Sequence, residues 1–299
     1  MEWAKKVVSW ISWDQWVLSL DLIVSIMIEL RDSKRELDKG KDSMLKMIRR
    51  IKLFTLVVII SLIAAQSMAE IKADSLILGL LFEGNAKDVS GSGVDGKVEG
   101  GAKFVAGKFG KAIQLDGKDD VVKIDKKIGQ FEEVSFVHWV HSTGRDGQWR
   151  VFFDNNGWKV GDIHYQLHPN KKIQFCIHSN VGGSDTFATE MITGKRMGTW
   201  VHVATVYSAK EKKVRFYVDG KFDVENKWGG NPAVLDKAGV GGWDGQRQFE
   251  GMMDEFLIFK SALSEEDIQT LMNDGLEKAL SVQPGNKIAT TWSSIRSGN

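Results

Sequence analysis

The sequence predicts an all-β fold, an antiparallel two-sheet sandwich, and three observations carry that reading. From residue 76 to residue 259, short apolar runs recur at close intervals between turn clusters. The 299 residues include 31 Gly, 3 Pro and 11 Trp, a composition suited to many short strands joined by glycine turns around an aromatic-filled core. The third observation is local. Trp-Val-His-Val-Ala-Thr-Val-Tyr (200–207) and Val-Arg-Phe-Tyr-Val (214–218) flank the polar turn 208–213, and the second run ends in Asp219-Gly220. Asp-Gly after alternating hydrophobics marks a tight hairpin, because both central residues must accept positive φ.

The elements follow in order. Residues 76–83 are apolar on both faces, as a buried sandwich strand is. Residues 84–101, rich in Gly, Asp and Ser, read as a long loop. Strands at 109–116 and 121–124 flank a turn at 117–120. A strand at 133–140 leads into a loop at 142–148. Strands at 149–154 and 164–168 turn about Asn155-Asn156-Gly157, and strands at 173–178, 238–242 and 250–259 complete the set. Regular short strands of this kind read as a sandwich or jelly roll. In 250–259, strict alternation puts Met252, Asp254, Phe256 and Ile258 on one face and Met253, Glu255, Leu257 and Phe259 on the other. Ser264-Glu-Glu-Asp267 is a capping-box-like start to a short C-terminal helix with Ile268, Leu271 and Met272 on one face. Gly275 weakens or ends that helix, and the tail from Ser281 has no clear period.

An N-terminal helical, hydrophobic segment precedes the β region. Residues 46–52 are basic, 53–65 are an apolar run, and Ser67-Met68-Ala69 is a small-x-small cleavage site. That is the layout of an export signal, and the run is short of the roughly 20 residues a membrane span needs. The pattern starts more than 40 residues into the chain. One reading places the true start at Met44 or Met47, making 1–43 an upstream extension. The other keeps 44–69 as a membrane anchor, with the Trp-rich extension (Trp3, Trp10, Trp13, Trp16) lying in an interface. Both put the domain 70–266, and the helix and tail 267–299, outside the cytoplasm. Contact with a membrane is expected only through 53–69, if uncleaved.

Net charge is +1. Residues 1–52 hold 11 Lys+Arg against 8 Asp+Glu, leaving 29 against 31 in the rest. No field of that sign favours nucleic acid. The single cysteine, Cys176, forbids an intrachain disulfide; it reads as a small packed residue in a strand, with His178 on the same face. The six histidines are scattered, and neither a serine nucleophile elbow nor a phosphate-binding glycine loop occurs.

Five pieces in order give the region 76–268 a family resemblance. They are Asp88-Val-Ser-Gly-Ser-Gly-Val-Asp-Gly96, Gly107-Lys-Phe-Gly-Lys-Ala-Ile-Gln-Leu-Asp-Gly117 and Val134-Ser-Phe-Val-His-Trp-Val140. Trp200-Val-His-Val-Ala with Tyr217-Val-Asp-Gly220 is the fourth, and 249–268 is the fifth. The region resembles the laminin-G-like jelly-roll modules of the concanavalin A-like superfamily, and the leader and tail are similar to those of secreted single-module bacterial members. The resemblance implies two curved antiparallel sheets and extracellular recognition, without naming a ligand. It also implies a structural calcium at Asp254 joined to the loop holding Asp88, Asn85 and Ser90, oxygen donors of the kind calcium takes. The competing reading is that Asp254 accepts hydrogen bonds from loop N–H groups and meets no metal. Glycanases of the superfamily carry carboxylates spaced along one strand so that both face the sugar. No such strand occurs here, so a non-catalytic module is expected, with a glycan-active hydrolase or a purely structural adhesion module as alternatives.

Four tryptophans lie in or beside polar loops: Trp149, Trp158, Trp228 and Trp243. An exposed indole beside Asn, Asp or Arg can stack on a sugar face while its neighbours bond hydroxyls; the opposing reading makes each a plug at a sandwich edge. The expected partner is a glycan or an extracellular protein.

Overall fold

The computed structural model describes residues 25, 28, 47–55, 71–143, 147–155, 157–180, 185–243 and 245–281. The chain divides into two units, Met1–Met68 and Ala69–Asn299. In the first, residues 47–55 are helical. The rest of the predicted leader or anchor, the upstream extension and the tail beyond Ser281 lie outside the described residues. Among those described, no helix is long and apolar enough to cross a membrane.

In the second unit the strands run β1 (Leu76–Leu80), β2 (Lys97–Glu99), β3 (Lys103–Ala106), β4 (Lys111–Asp116), β5 (Val121–Ile124) and β6 (Gly129–Phe131). Next come β7 (Glu133–Ser142), β8 (Arg150–Asp154), β9 (Ile163–Leu167), β10 (Lys172–Ile177), β11 (Asp185–Met191) and β12 (Trp200–Ser208). The last are β13 (Lys213–Val218), β14 (Lys221–Lys227), β15 (Ala233–Leu235), β16 (Ala238–Val240) and β17 (Glu250–Phe259), followed by helix α1 (Glu265–Ser281). One sheet has the order β14-β13-β12-β7-β17-β4-β3, with β1 also on β17; the other has β11-β10-β9-β8-β16-β5-β2, and β15 pairs with β6 apart from both. These pairings are all antiparallel. The fold is the predicted all-β sandwich of concanavalin A-like jelly-roll type.

Several details differ from expectation. The loop 84–101 contains β2. The strands flanking 117–120 do not pair with each other: β4 belongs to one sheet and β5 to the other. The edge strands β11 and β14 escaped the hydrophobic pattern, because Asp-Thr-Phe-Ala-Thr-Glu-Met and Lys-Phe-Asp-Val-Glu-Asn-Lys alternate weakly and leave many side chains exposed. A sheet edge carries polar residues without cost, and charge there opposes edge-to-edge association. The Asp219-Gly220 turn joins β13 to β14 with φ of 50° and 72°, the geometry a two-residue hairpin loop requires.

The sheets meet over an aromatic core. The Phe136 ring of β7 lies 5.3 Å from those of Phe153 and Tyr165, 5.7 Å from Phe175 and 6.4 Å from Phe256, spanning both sheets. A second core forms on the other face of the β7–β17 sheet, where Val137, Leu257 and Phe259 meet Ile268, Leu271, Leu276 and Leu280 of α1. Ser264 caps that helix reciprocally: its Oγ accepts the Asp267 N–H at 3.1 Å, and Asp267 Oδ2 accepts the Ser264 N–H at 3.0 Å. Gly275 (φ 70°, ψ 167°) breaks the helix. The helix resumes because Glu255 accepts the freed Leu276 N–H at 2.9 and 3.1 Å.

Truncating a ring that bridges both sheets removes its burial and leaves a void. Phe136→Ala is expected to cost about 3–5 kcal/mol of unfolding free energy in chemical denaturation.

Candidate functional site: an aromatic roof over a polar floor

Cross-strand pairing places side chains of β8, β9 and β10 in rows. Phe153, Tyr165 and Phe175 point into the core. On the opposite face lie the row Asp154–His164–Cys176 and the row Val151–Gln166–Gln174. These polar residues are nearly inaccessible: Asp154 is 0%, and His164, Gln166 and Gln174 are each 2% exposed. Polar groups this deep need partners, and they have them. His164 Nδ1 is 2.5 Å from Asp154 Oδ2, and its Nε2 is 2.9 Å from the Gly157 carbonyl. Gln166 Nε2 donates to Gln174 Oε1 at 2.8 Å.

Loop side chains roof this floor. Trp149 stands just before β8, Trp158 in the β8–β9 loop, and Trp243 with Arg247 in the β16–β17 loop. The Arg247 guanidinium lies 4.8 Å from the Trp149 ring and 4.7 Å from the Trp243 ring, and its Nη1 donates to Gln166 Oε1 at 3.3 Å. Trp158 packs one side on His164 at 4.7 Å and His178 at 4.6 Å, and is 65% exposed. Trp243 is 6.4 Å from Trp158. Burial, with the nearby His164 adding to it, holds the His178 ring below its usual range.

Three of the four candidate tryptophans therefore share one face. Trp228 does not join them. It follows β14, packs partly against the inter-sheet core and lines a groove with Glu211, Lys212, Lys213 and Lys227. Arg247, His164 and Gln166 were missed by sequence reasoning. The available signal was the alternation Ile-His-Tyr-Gln-Leu in β9 against Ile-Gln-Phe-Cys-Ile in β10, which puts a polar stripe on the face opposite the core. Cys176 shares this face, yet His164 Nε2 is aimed at Gly157 rather than placed as a base for the sulfur.

The residues expected at a calcium site behave differently. Asp88 Oδ1 accepts the Gly79 and Ser90 N–H groups, both at 2.9 Å, and its Oδ2 accepts the Ser90 and Ser92 hydroxyls at 2.8 and 2.7 Å. Asn85 Oδ1 accepts the Lys87 N–H at 2.9 Å. These oxygens hold their own loop. Asp254 Oδ2 accepts the Lys108 and Phe109 N–H groups at 2.8 and 2.9 Å. Its buried Oδ1 has no hydrogen-bond partner.

The expected alternation along β17 fails at this point. Asp254 pairs with Trp139 and Leu257 with Val137, so three steps on β17 match two on β7. This is a β-bulge, with Glu255 at φ 46°. It sets Met253 and Phe256 both on the inter-sheet core, with Leu257 and Phe259 on the helix side. Asp254 and Glu255 are 0% and 7% exposed. Burial pushes the Asp254 carboxyl up to about 7. Burial, reinforced by neighbouring Asp254, pushes that of Glu255 up to about 8.

This arrangement, a jelly-roll sandwich with aromatic rings and polar groups gathered on one sheet face, is that of a lectin-like module. Residues 116–269 match the family model Laminin_G_3, described as the concanavalin A-like lectin/glucanases superfamily. The chain belongs to that superfamily. No curated protein matches it. Among solved structures it is similar to domain 4 of AbnA, a GH43 extracellular arabinanase from Geobacillus stearothermophilus, in complex with arabinotriose. That match has 19% identity and a TM-score of 0.56 over 67% of this chain and 98% of the other. It is also similar to the binding domain of Botulinum neurotoxin DC, seen in complex with SialylT (17% identity, TM-score 0.55) and with rat synaptotagmin II (16%, 0.54). Each neurotoxin match covers 68% of this chain and 52% of the other, so the chain spans about half the toxin domain's length. At these identities the likeness shows the fold.

The two raised carboxyls carry a pH prediction. Unfolded, both ionise near their ordinary values of about 4; folded, they hold their protons to about 7 and 8. The folded state then binds more protons between those limits, so stability falls as pH rises. Burial acts the other way on His138 and His202, held down to about 3, so below the ordinary histidine value of about 6.5 the two effects offset. With EDTA present to exclude cations, the melting temperature is expected to drop from about pH 6.5 to pH 8. Asp254→Asn and Glu255→Gln should each flatten that slope.

Proposed function

We propose that the β sandwich is a non-catalytic module that binds a glycan on the roof formed by Trp149, Trp158 and Trp243. One observation carries this reading: a 65%-exposed indole, Trp158, is held by packing on His164 and His178 rather than left loose. An indole fixed in place presents its apolar face to a sugar ring at little entropic cost. Partly exposed Arg247 and its neighbours supply directional donors for hydroxyls. The solved relatives bound to arabinotriose and to SialylT support a glycan ligand in general terms; the synaptotagmin complex supports a protein ligand in the same terms.

The absence of catalysis is included in the proposal. A glycosidase of the usual kind sets two carboxylates facing the sugar. On this floor Asp154 Oδ2 is engaged by His164. Nearby Asp162 is 7% exposed, and its Oδ2 accepts the Lys159 N–H at 2.7 Å. Export follows from the leader pattern at 46–69, and mass spectrometry of the native N-terminus checks it: a mature chain starting near Glu70 supports secretion, and an intact 44–69 supports an anchor.

Calcium is a second proposal, favoured by the unpartnered buried Oδ1 of Asp254. Asp254 would hold it, with Asp88, Asn85 and Ser90 as the loop donors once released from their own hydrogen bonds. A melting temperature that rises in calcium and returns in EDTA supports the site. No response to either removes it.

A glycan array followed by calorimetry tests the main proposal. Trp158→Ala should weaken binding about tenfold, corresponding to ~1.4 kcal/mol, with the melting temperature unchanged. Trp228→Ala should lower the melting temperature and leave affinity intact. Hydrolysis of an oligosaccharide by the purified protein would replace the non-catalytic reading with the hydrolase one.

A further inference from the structure

The described arginines of the sandwich fall into two kinds. Arg196 pairs with Asp219 and Glu190, Arg215 with Glu211 and Glu225, and Arg150 with Glu250. Arg247 meets no carboxylate among the described residues. Its contacts are the two indole rings and a 3.3 Å hydrogen bond to the neutral Gln166 amide. A guanidinium has five N–H donors in a planar fork and remains charged at every working pH. One donor reaches Gln166. The indoles stabilise the cation through their ring faces and accept none of the others.

The backbone at this position is strained as well. Arg247 has φ of 53°, a left-handed conformation that a non-glycine residue adopts only at a cost. The surroundings enforce it: the Arg247 carbonyl accepts the Val151 N–H at 2.9 Å, and Trp243 pairs with Gln246 in both directions just before it. Backbone strain held in place beside a candidate site is a reason to look for function there. A stacked, partly exposed cation with spare donors is set to receive an anion that none of the described residues provides.

We propose that the roof selects an acidic glycan, one whose sugar carries a carboxylate, with Arg247 forming the charge-assisted bonds to it. This rests on the glycan-binding reading and names the ligand class within it. The planar guanidinium fork pairs in two parallel bonds with a planar carboxylate, and the sulfated sugar in the test separates that pairing from one with a tetrahedral oxyanion. Of the described acids on the floor, Asp154 lies beneath, fully buried against His164, and Asp162 is 7% exposed with its Oδ2 on the Lys159 N–H.

The test titrates the purified chain with trigalacturonate, a neutral galactose trisaccharide and a sulfated trisaccharide, at low and at moderate salt. Trigalacturonate should bind at least tenfold tighter than the neutral sugar at low salt, with the gap narrowing as salt rises. Arg247→Gln should erase the preference, bringing the affinities for trigalacturonate and the neutral sugar within about twofold of each other, and Arg247→Lys should keep some of it. Equal affinities for acidic and neutral sugars would overturn the acidic assignment and leave glycan binding standing. A preference for the sulfated sugar over trigalacturonate would overturn the carboxylate. Binding to none of the three, with none on the array, would overturn the glycan reading itself. The comparison among ligands uses the wild-type chain, so it holds even if Arg247→Gln fails to fold.

Discussion

The hydrogen bond between His164 and Asp154 is the constraint on which the site depends. A carboxylate and an imidazole with no exposure would each be costly alone. Together, with the Gly157 carbonyl taking the second ring nitrogen, they form a satisfied unit on the face of a sheet. That unit does two things. It lets the face opposite the core be polar without exposing it, and it gives Trp158 a rigid surface on which to lie. Gly157 directly precedes Trp158 in the β8–β9 loop, so the partner of the histidine and the indole are neighbours in the chain. In the adjacent row, the Gln166–Gln174 pair likewise satisfies buried polar groups and anchors Arg247.

A second constraint shapes the other sheet. The bulge in β17 inserts one residue at Asp254–Glu255, and both carboxyls are buried there instead of alternating between faces. Asp254 pins the 107–111 turn through two N–H groups, while Glu255 caps the restarted helix at Leu276. Three carboxylates crowd glycines in this corner. A side chain on Gly107 would meet Asp254, one on Gly110 would meet Glu83, and one on Gly275 would approach Glu255. The Gly-Lys-Phe-Gly run that helped reveal the family thus has a packing reason for its glycines, independent of any metal.

Much of the fold was legible because apolar residues and turns report burial directly. β7, β12 and β17 are long and mostly buried, β1 is short but wholly buried, and β13 ends in the Asp-Gly turn, so their positions follow from pattern. β11 and β14 were hidden because edge strands need no continuous apolar face. The bulge was hidden because nothing in Met-Asp-Glu-Phe distinguishes an inserted residue from a regular one. Trp149, Trp158 and Trp243 were visible as indoles beside polar turns, whereas their meeting on one face depends on pairings between β8, β9 and β10. Arg247 had no local signal; its importance comes from two rings far apart in the chain. Trp228 carried the same local signature as the others and packs against the core instead, which shows that loop context alone does not separate a platform from a plug.

The central claim is that the sugar lies on the Trp149–Trp158–Trp243 roof. It is tested most directly by following the indole N–H resonances, assigned by substitution, during titration with a bound glycan. The account predicts large shifts for Trp158, Trp149 and Trp243, while the signals of Trp139, Trp200 and Trp228 stay in place. Saturable binding that moves Trp228, or that leaves Trp158 unchanged, would contradict it.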